Sequence, residues 1–219
     1  MPARCFVFDA YGTLFDVHAA AAAEQAAIGT AWEKLSQTWR SKHLEYTWVH
    51  SLAGRDASFW SLAERSLDVA IASVGGIPDG VRARLLASYR RMRAYPEVPS
   101  VLAALKARGA ALAILSNGDP DMLSDAISAA GLGGLFDAVL SVRDAGIFKP
   151  APAVYRLVLD RFGIASADVS FQSSNRWDIA GAAAFGFHTV WINRTNAPDE
   201  YPDLPAGRTV RDLTALLRD

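Results

Sequence analysis

Five short apolar runs, at residues 5–8, 111–115, 138–141, 169–172 and 189–192, are each followed by a polar loop, and this rhythm constrains the fold most. Runs of this length suit buried strands better than helices. Amphipathic stretches at 100–108, 120–130, 152–162 and 177–185 alternate with the later runs. Gly109, Gly131, Gly163 and Gly186 stand where those helices should stop. Strand and helix in alternation imply an α/β architecture: a doubly wound parallel sheet with helices on both faces.

The rhythm breaks once. After residue 8 no second strand is expected until about residue 111, and most of that interval is helical in character. Residues 19–27 are alanine-rich, interrupted only by Glu24 and Gln25. Trp32, Leu35, Trp39 and Tyr46 fall near one helical face, and Leu44, Trp48 and Leu52 mark another. Tyr95-Pro96-Glu97-Val98-Pro99 reads as a return linker. The expected division is an α/β core of residues 1–16 and 95–219 with an inserted helical cap over 17–94. Asp16 reads as the cap of the first inserted helix.

A chain of 219 residues has room for one sizeable core and a small lobe. Its net charge of −1 gives no electrostatic hold on nucleic acid or an acidic membrane, and neither partner is expected. No stretch has the length of a membrane span, and no signal-peptide pattern precedes Phe6. The single cysteine, Cys5, reads as a buried core thiol. A cytoplasmic enzyme is the expectation. The two apolar faces between Trp32 and Leu52 point to a homodimer formed partly through the insert.

Parallel sheets place ligands beyond the carboxyl ends of their strands. The loops there are Asp9-Ala10-Tyr11-Gly12-Thr13, Ser116-Asn117-Gly118, Phe148-Lys149-Pro150 and Ser173-Ser174-Asn175-Arg176-Trp177-Asp178. Taken singly they read as turns and solvated charges. Together, each after its own strand, they bring two carboxylates, an ammonium and several hydroxyl and amide groups to one crevice. His18, His43, His50 and His188 lack metal-ligand spacing and read as structural or surface residues.

These four loops resemble the four motifs of the haloacid dehalogenase superfamily. Trp39-Arg40, Leu44-Glu45-Tyr46-Thr47-Trp48, Phe59-Trp60, Ser173-Ser174-Asn175 with Trp177-Asp178, and Trp191-Ile192-Asn193-Arg194 are similar to the L-2-haloacid dehalogenases within it. The resemblance spans nearly the whole chain. It implies the Rossmann-like haloacid dehalogenase fold and hydrolysis of short (S)-2-haloacids to (R)-2-hydroxyacids, without metal or other cofactor. Asp9 would be the nucleophile and Asp178 the base for water, supported by Ser173 and Asn175. Lys149 would keep Asp9 ionised, and Thr13 would hydrogen-bond within its loop. Ser116 would bind the substrate carboxylate, and Arg40 and Asn117 would receive the halide. Tyr11, Leu44, Phe59 and Trp177 would wall the substrate carbon, and Tyr155 would support catalysis. On the residues alone, Arg40 reads as solvent-facing and Tyr155 as packing.

Two rivals belong beside this reading. A phosphatase of the same superfamily would resemble its relatives in carrying a second Asp where this chain has Tyr11, and a further acidic residue where it has Ser174. A catalytically inactive binding protein would have no need of Asp9, Lys149 and Asp178 together. Gln172 and Phe148 depart from the pattern, at positions without an assigned chemical role.

Overall fold

The computed structural model describes residues 5–218; residues 1–4 and Asp219, the outer ends of the expected core, lie outside the described residues. Strand β1 (Cys5–Phe8) leads into five inserted helices: α1 (Ala19–Ala23), α2 (Gln25–Ile28), α3 (Trp32–Leu52), α4 (Phe59–Ser73) and α5 (Val81–Arg90). Helix and strand then alternate through α6 (Val98–Ala107), β2 (Ala111–Ser116), α7 (Pro120–Ala129), β3 (Ala138–Ser141), α8 (Pro152–Phe162), β4 (Val169–Ser173), α9 (Arg176–Phe185) and β5 (His188–Ile192). A short β6 (Arg208–Val210) follows.

The sheet is six-stranded and parallel, in the order β3-β2-β1-β4-β5-β6. The chain builds outward from β1 in one direction through β2 and β3, and in the other through β4, β5 and β6. A crevice therefore opens at the carboxyl end of β1, where the winding reverses. Register sets its occupants: Phe8 pairs with Ile114 and Gln172, so Asp9 emerges beside the ends of β2 and β4. Val7, Phe8, Leu112 to Leu115 and Phe171 are fully buried, as strands covered on both faces require. Gly163 and Gly186 close α8 and α9 in the left-handed conformation that a side chain would oppose.

One strand lies outside the sequence reading, and two further details refine it. β6 was not expected; its Arg208-Thr209-Val210 is half-exposed at the sheet edge and has no apolar run to mark it. The alanine-rich segment breaks at Glu24 between α1 and α2, and the Glu24 carboxylate pairs with Arg84 of α5 at 2.8 and 2.9 Å. Alanine propensity alone does not hold a short helix together. Gln172, the misfit in β4, is wholly buried, and its side chain donates to the Ser170 hydroxyl.

All described elements from Ala19 to Arg90 are helical. Helix α3 turns Leu35, Ser36, Trp39, His43 and Thr47 inward, the spacing of one helical face. Leu52, on the second face, is 90% exposed. The two crossings between insert and sheet lie side by side: Asp16 N–H donates to Arg93 O, and Tyr95 N–H to Leu14 O. Asp16 accepts from His18 N–H in the turn ahead of α1, but it is not the helix cap expected of it: the N-cap position is His18, and no side chain caps α1. Among the described residues no helix is long and apolar enough to cross a membrane.

Candidate active site

The loop after β1 folds back so that Thr13 N–H, Leu14 N–H and Phe15 N–H all converge on Ala10 O. That turn aims the Thr13 hydroxyl at Asp9, where it donates to Oδ2 at 2.9 Å. Asn175 Nδ2 donates to the same oxygen at 2.7 Å and the Ser173 hydroxyl at 3.3 Å. Ser174 N–H in turn donates to Thr13 Oγ1, which fixes that hydroxyl's direction. Asp9 Oδ2 is thus held by three donors. Among the described residues Oδ1 has only Lys149 Nζ, at 3.3 Å, so it keeps free lone pairs.

Lys149 bridges the two carboxylates. Its Nζ donates to Asp178 Oδ2 at 2.8 Å, and the side chains of Lys149 and Asp178 are 0% exposed. The Phe171 ring lies 5.0 Å beneath the ammonium. Asp178 Oδ1 accepts from the Tyr155 hydroxyl at 2.8 Å. Burial raises the Asp178 carboxyl above the usual carboxylate range, and the charge of Asp9 adds to this; Lys149 and Tyr155 pull the other way. Burial, with Asp178 alongside, also holds the Tyr155 hydroxyl well above its ordinary value, so it remains a proton donor.

Arg40 reaches in from α3. Its Nη2 donates to Tyr11 O at 3.0 Å and to Asn175 Oδ1 at 3.1 Å, while Nη1 is buried with no partner among the described residues. Asn175 therefore links the guanidinium to the Asp9 carboxylate, with its amide orientation set by Arg40 on one side and Asp9 on the other. Gly12, Arg40, Leu44, Asn175 and Trp177 line a cavity of about 350 Å³. Tyr11 and Phe59 pack against each other, ring centroids 5.4 Å apart, and Tyr89 stacks on Tyr11 at 5.8 Å.

Most of the expected residues meet here. Asp9, Thr13, Arg40, Lys149, Tyr155, Ser173, Asn175 and Asp178 form one hydrogen-bonded network; Arg40 is turned inward rather than solvent-facing, and Tyr155 packs on Phe171, Phe185 and Phe187, as expected from the residue alone, while its hydroxyl reaches Asp178. Asn117 joins it through Lys149, whose backbone N–H donates to Asn117 Oδ1 at 3.0 Å. Ser116 is buried at the end of β2, and its hydroxyl accepts from Gly118 N–H. Leu44 and Trp177 line the cavity, whereas Tyr11 and Phe59 belong to the aromatic cluster. His43 is structural: burial lowers it to about 3, and it stays neutral. Its Nε2 faces Phe59 O, which only accepts, so Nε2 carries the proton and Nδ1 accepts from the Tyr89 hydroxyl.

Asp119 escaped the sequence reading. An Asp-Pro at a helix start reads as a cap for its own helix. Its buried carboxylate instead accepts from Phe59 N–H at 3.2 Å and Trp60 N–H at 2.8 Å, capping α4 of the insert from the core. No local signal marks a partner 59 and 60 residues away.

Among the described residues no group of three or more His, Cys, Asp or Glu side chains could hold a metal ion. Between Asp9 and Asp178 the positive charge is the Lys149 ammonium.

Comparison with known proteins places the whole chain in a family. A family model described as haloacid dehalogenase-like hydrolase matches residues 3–186. The chain is 45% identical over 216 residues to (S)-2-haloacid dehalogenase 1 of Pseudomonas sp. (strain CBS-3), covering 98% of this chain and 95% of that protein. It is 41% identical over 215 residues to (S)-2-haloacid dehalogenase 4A of Burkholderia cepacia, covering 97% and 93%. Its fold matches L-2-haloacid dehalogenase from Xanthobacter autotrophicus with chloropropionic acid covalently bound, at a TM-score of 0.87 and 37% identity, covering 99% of this chain and 97% of that one.

Proposed function

This chain belongs to the haloacid dehalogenase-like hydrolase family, and from that premise we infer that it hydrolyses short (S)-2-haloacids to (R)-2-hydroxyacids with release of halide. The observation that carries the mechanism is the asymmetry of Asp9, one oxygen held by three donors and the other free to attack. In the proposed sequence, Oδ1 forms a bond to carbon 2 as the carbon–halogen bond breaks, with inversion. The halide leaves toward Arg40, whose Nη1 has a donor to spare. Water then adds to the Asp9 carboxyl carbon and gives a proton to Asp178. The bond from that carbon to Oδ1 breaks, the departing oxygen takes that proton as the product hydroxyl, and Asp9 releases water's second proton to solvent to return to the carboxylate. Ser116, Asn117 and Lys149 are proposed to receive the substrate carboxylate and halide, and Tyr11, Leu44, Phe59 and Trp177 to wall the carbon skeleton.

Halide release from (S)-2-chloropropionate, measured with and without exhaustive chelation, tests this reading. Release unaffected by chelator is expected, with no hydrolysis of a phosphate monoester. Activity that disappears and returns with magnesium would favour the phosphatase reading.

Asp178→Asn is expected to leave ester formation intact and slow ester hydrolysis by about 100-fold or more. The adduct would then appear as a mass increase on the Asp9 peptide. In the unmodified enzyme a base works only when ionised. With Asp178 raised by burial, ester hydrolysis should fail as pH drops below neutrality, before the ordinary carboxylate range is reached. A hydrolysis rate independent of pH across that window would remove Asp178 from the role.

The reading also divides the chain into a core of residues 1–16 and 95–219 and a cap of 17–94, and places the enzyme in the cytoplasm. It includes a homodimer. Trp48, Leu52, Phe148, Pro152, Trp177 and Phe185 border a largely apolar groove of about 860 Å³, with Leu52 protruding at its rim. A two-fold axis would let each copy's Leu52 enter the other's groove. Sedimentation at micromolar concentration should give a dimer that Leu52→Glu dissociates; a monomeric parent chain would overturn this element.

A further inference from the structure

Gly181 lies on α9 nearly one turn after Asp178, against α8 and the Lys149–Pro150 loop. A Cβ at this position would stand 2.5 Å from the Tyr155 hydroxyl oxygen, 3.2 Å from Tyr155 Cζ and 2.5 Å from Pro150 Cβ. Atoms that close overlap, so any side chain at 181 must displace one of these neighbours. Helical conformation does not call for glycine here: Gly181 is not among the glycines with positive φ. Glycine is in fact the least favourable residue for a helix interior after proline. What the position demands is the absence of volume.

We propose that Gly181 is a positioning residue for ester hydrolysis: its missing side chain lets Tyr155 and Pro150 close against α9, which seats Tyr155 on Asp178 and Lys149 between the two carboxylates. This rests on the role of Asp178 inferred above. The groups facing Asp178 are Lys149 from the loop before α8, Tyr155 from α8 and Asp9 from the loop after β1. Within α9, Arg176 is engaged elsewhere, on Asp199. A methyl group at 181 acts on the first two of the three. If Tyr155 retreats, the ionised form of Asp178 loses a donor and keeps its proton to higher pH.

The test compares Gly181→Ala, Tyr155→Phe and the double variant with the parent enzyme. The readout is decay of the Asp9 adduct after a single turnover, followed across pH, beside the rate of ester formation. Gly181→Ala should slow ester hydrolysis by about ten-fold or more, with a smaller effect on ester formation. Its acid limb should move to higher pH, as should that of Tyr155→Phe. In the double variant the hydroxyl's contribution is already lost, so the added shift should be smaller than the one Gly181→Ala produces alone, the remainder coming from the contact with Pro150 that carries Lys149. In the double variant the overlap with the hydroxyl is gone while that with Pro150 Cβ remains, so if Gly181→Ala fails to fold, an ester-hydrolysis rate in the double variant equal to that of Tyr155→Phe overturns the proposal. An unmoved limb in either single variant, or a limb in the double variant displaced by the full sum of the two single shifts, overturns the proposal. A parent enzyme that never forms an adduct on Asp9 overturns the mechanism and this proposal together.

Discussion

Asp9→Asn is expected to abolish halide release, on the order of 10⁴-fold or more, because an amide is a poor nucleophile and nothing else in the network can replace it. The geometry makes the loss sharper than a change of charge alone. Asn in the same pose would present an NH₂ group either to the three donors that hold Oδ2 or to the ammonium of Lys149. One side of the side chain would be mispaired in a buried site. An isotope experiment distinguishes nucleophile from base. In heavy-oxygen water, a single turnover of the unmodified enzyme should label Asp9 and leave the product hydroxyl unlabelled. Label found directly in the product would mean that water attacks carbon 2, and Asp9 would be a base.

Lys149→Met should cost both activity and stability. It removes the ammonium from between Asp9 at 3.3 Å and Asp178 at 2.8 Å and leaves two carboxylates facing each other in a buried site. Breaking a buried pair in this way typically costs about 3–5 kcal/mol. Turnover should fall by roughly 10³-fold or more, since the site loses its central charge. The sign of the pH dependence is a separate test. Asp178 already stands above the ordinary carboxylate range through burial. Without Lys149 the folded pair should hold a proton that the unfolded chain has released. Where the folded state binds more protons, stability falls as pH rises. The variant's melting temperature should therefore climb relative to the parent's as pH is lowered from 8 toward 5. A constant difference between the two curves would mean that the carboxylates do not share a field.

How much of this was legible in the sequence follows from where each residue's partners lie. The central strands announced themselves because burial on both faces demands unbroken apolar runs, and β6 did not because an edge strand of three residues makes no such demand. Asp9, Lys149 and Asp178 could be assembled by reasoning because each follows a strand and the parallel register brings strand ends together. Arg40 and Tyr155 sit within helices, where nothing local separates a working side chain from a packed or solvated one; resemblance to a family supplied their roles. Asp119 and Gly181 were beyond both routes. The first acts on a helix that begins 60 residues earlier, and the second acts by leaving space, which no residue type signals on its own.

The pairing of the two crossings between sheet and insert has a consequence for how such a chain can be rebuilt. Because Asp16 bonds to Arg93 and Leu14 to Tyr95, the stretch between them leaves and rejoins the sheet at one doorway. Topologically it is a plug-in: removing or exchanging it would leave every parallel strand pairing in place. Asp9, Lys149, Tyr155, Ser173, Asn175 and Asp178 all lie outside the plug-in, whereas Arg40, Leu44 and Phe59 lie within it. In the proposed mechanism the nucleophile and the base for water lie outside the plug-in, while part of the proposed halide and substrate contact set is carried by it, so grafting a different insert at this doorway is a route to altered specificity on the same nucleophile.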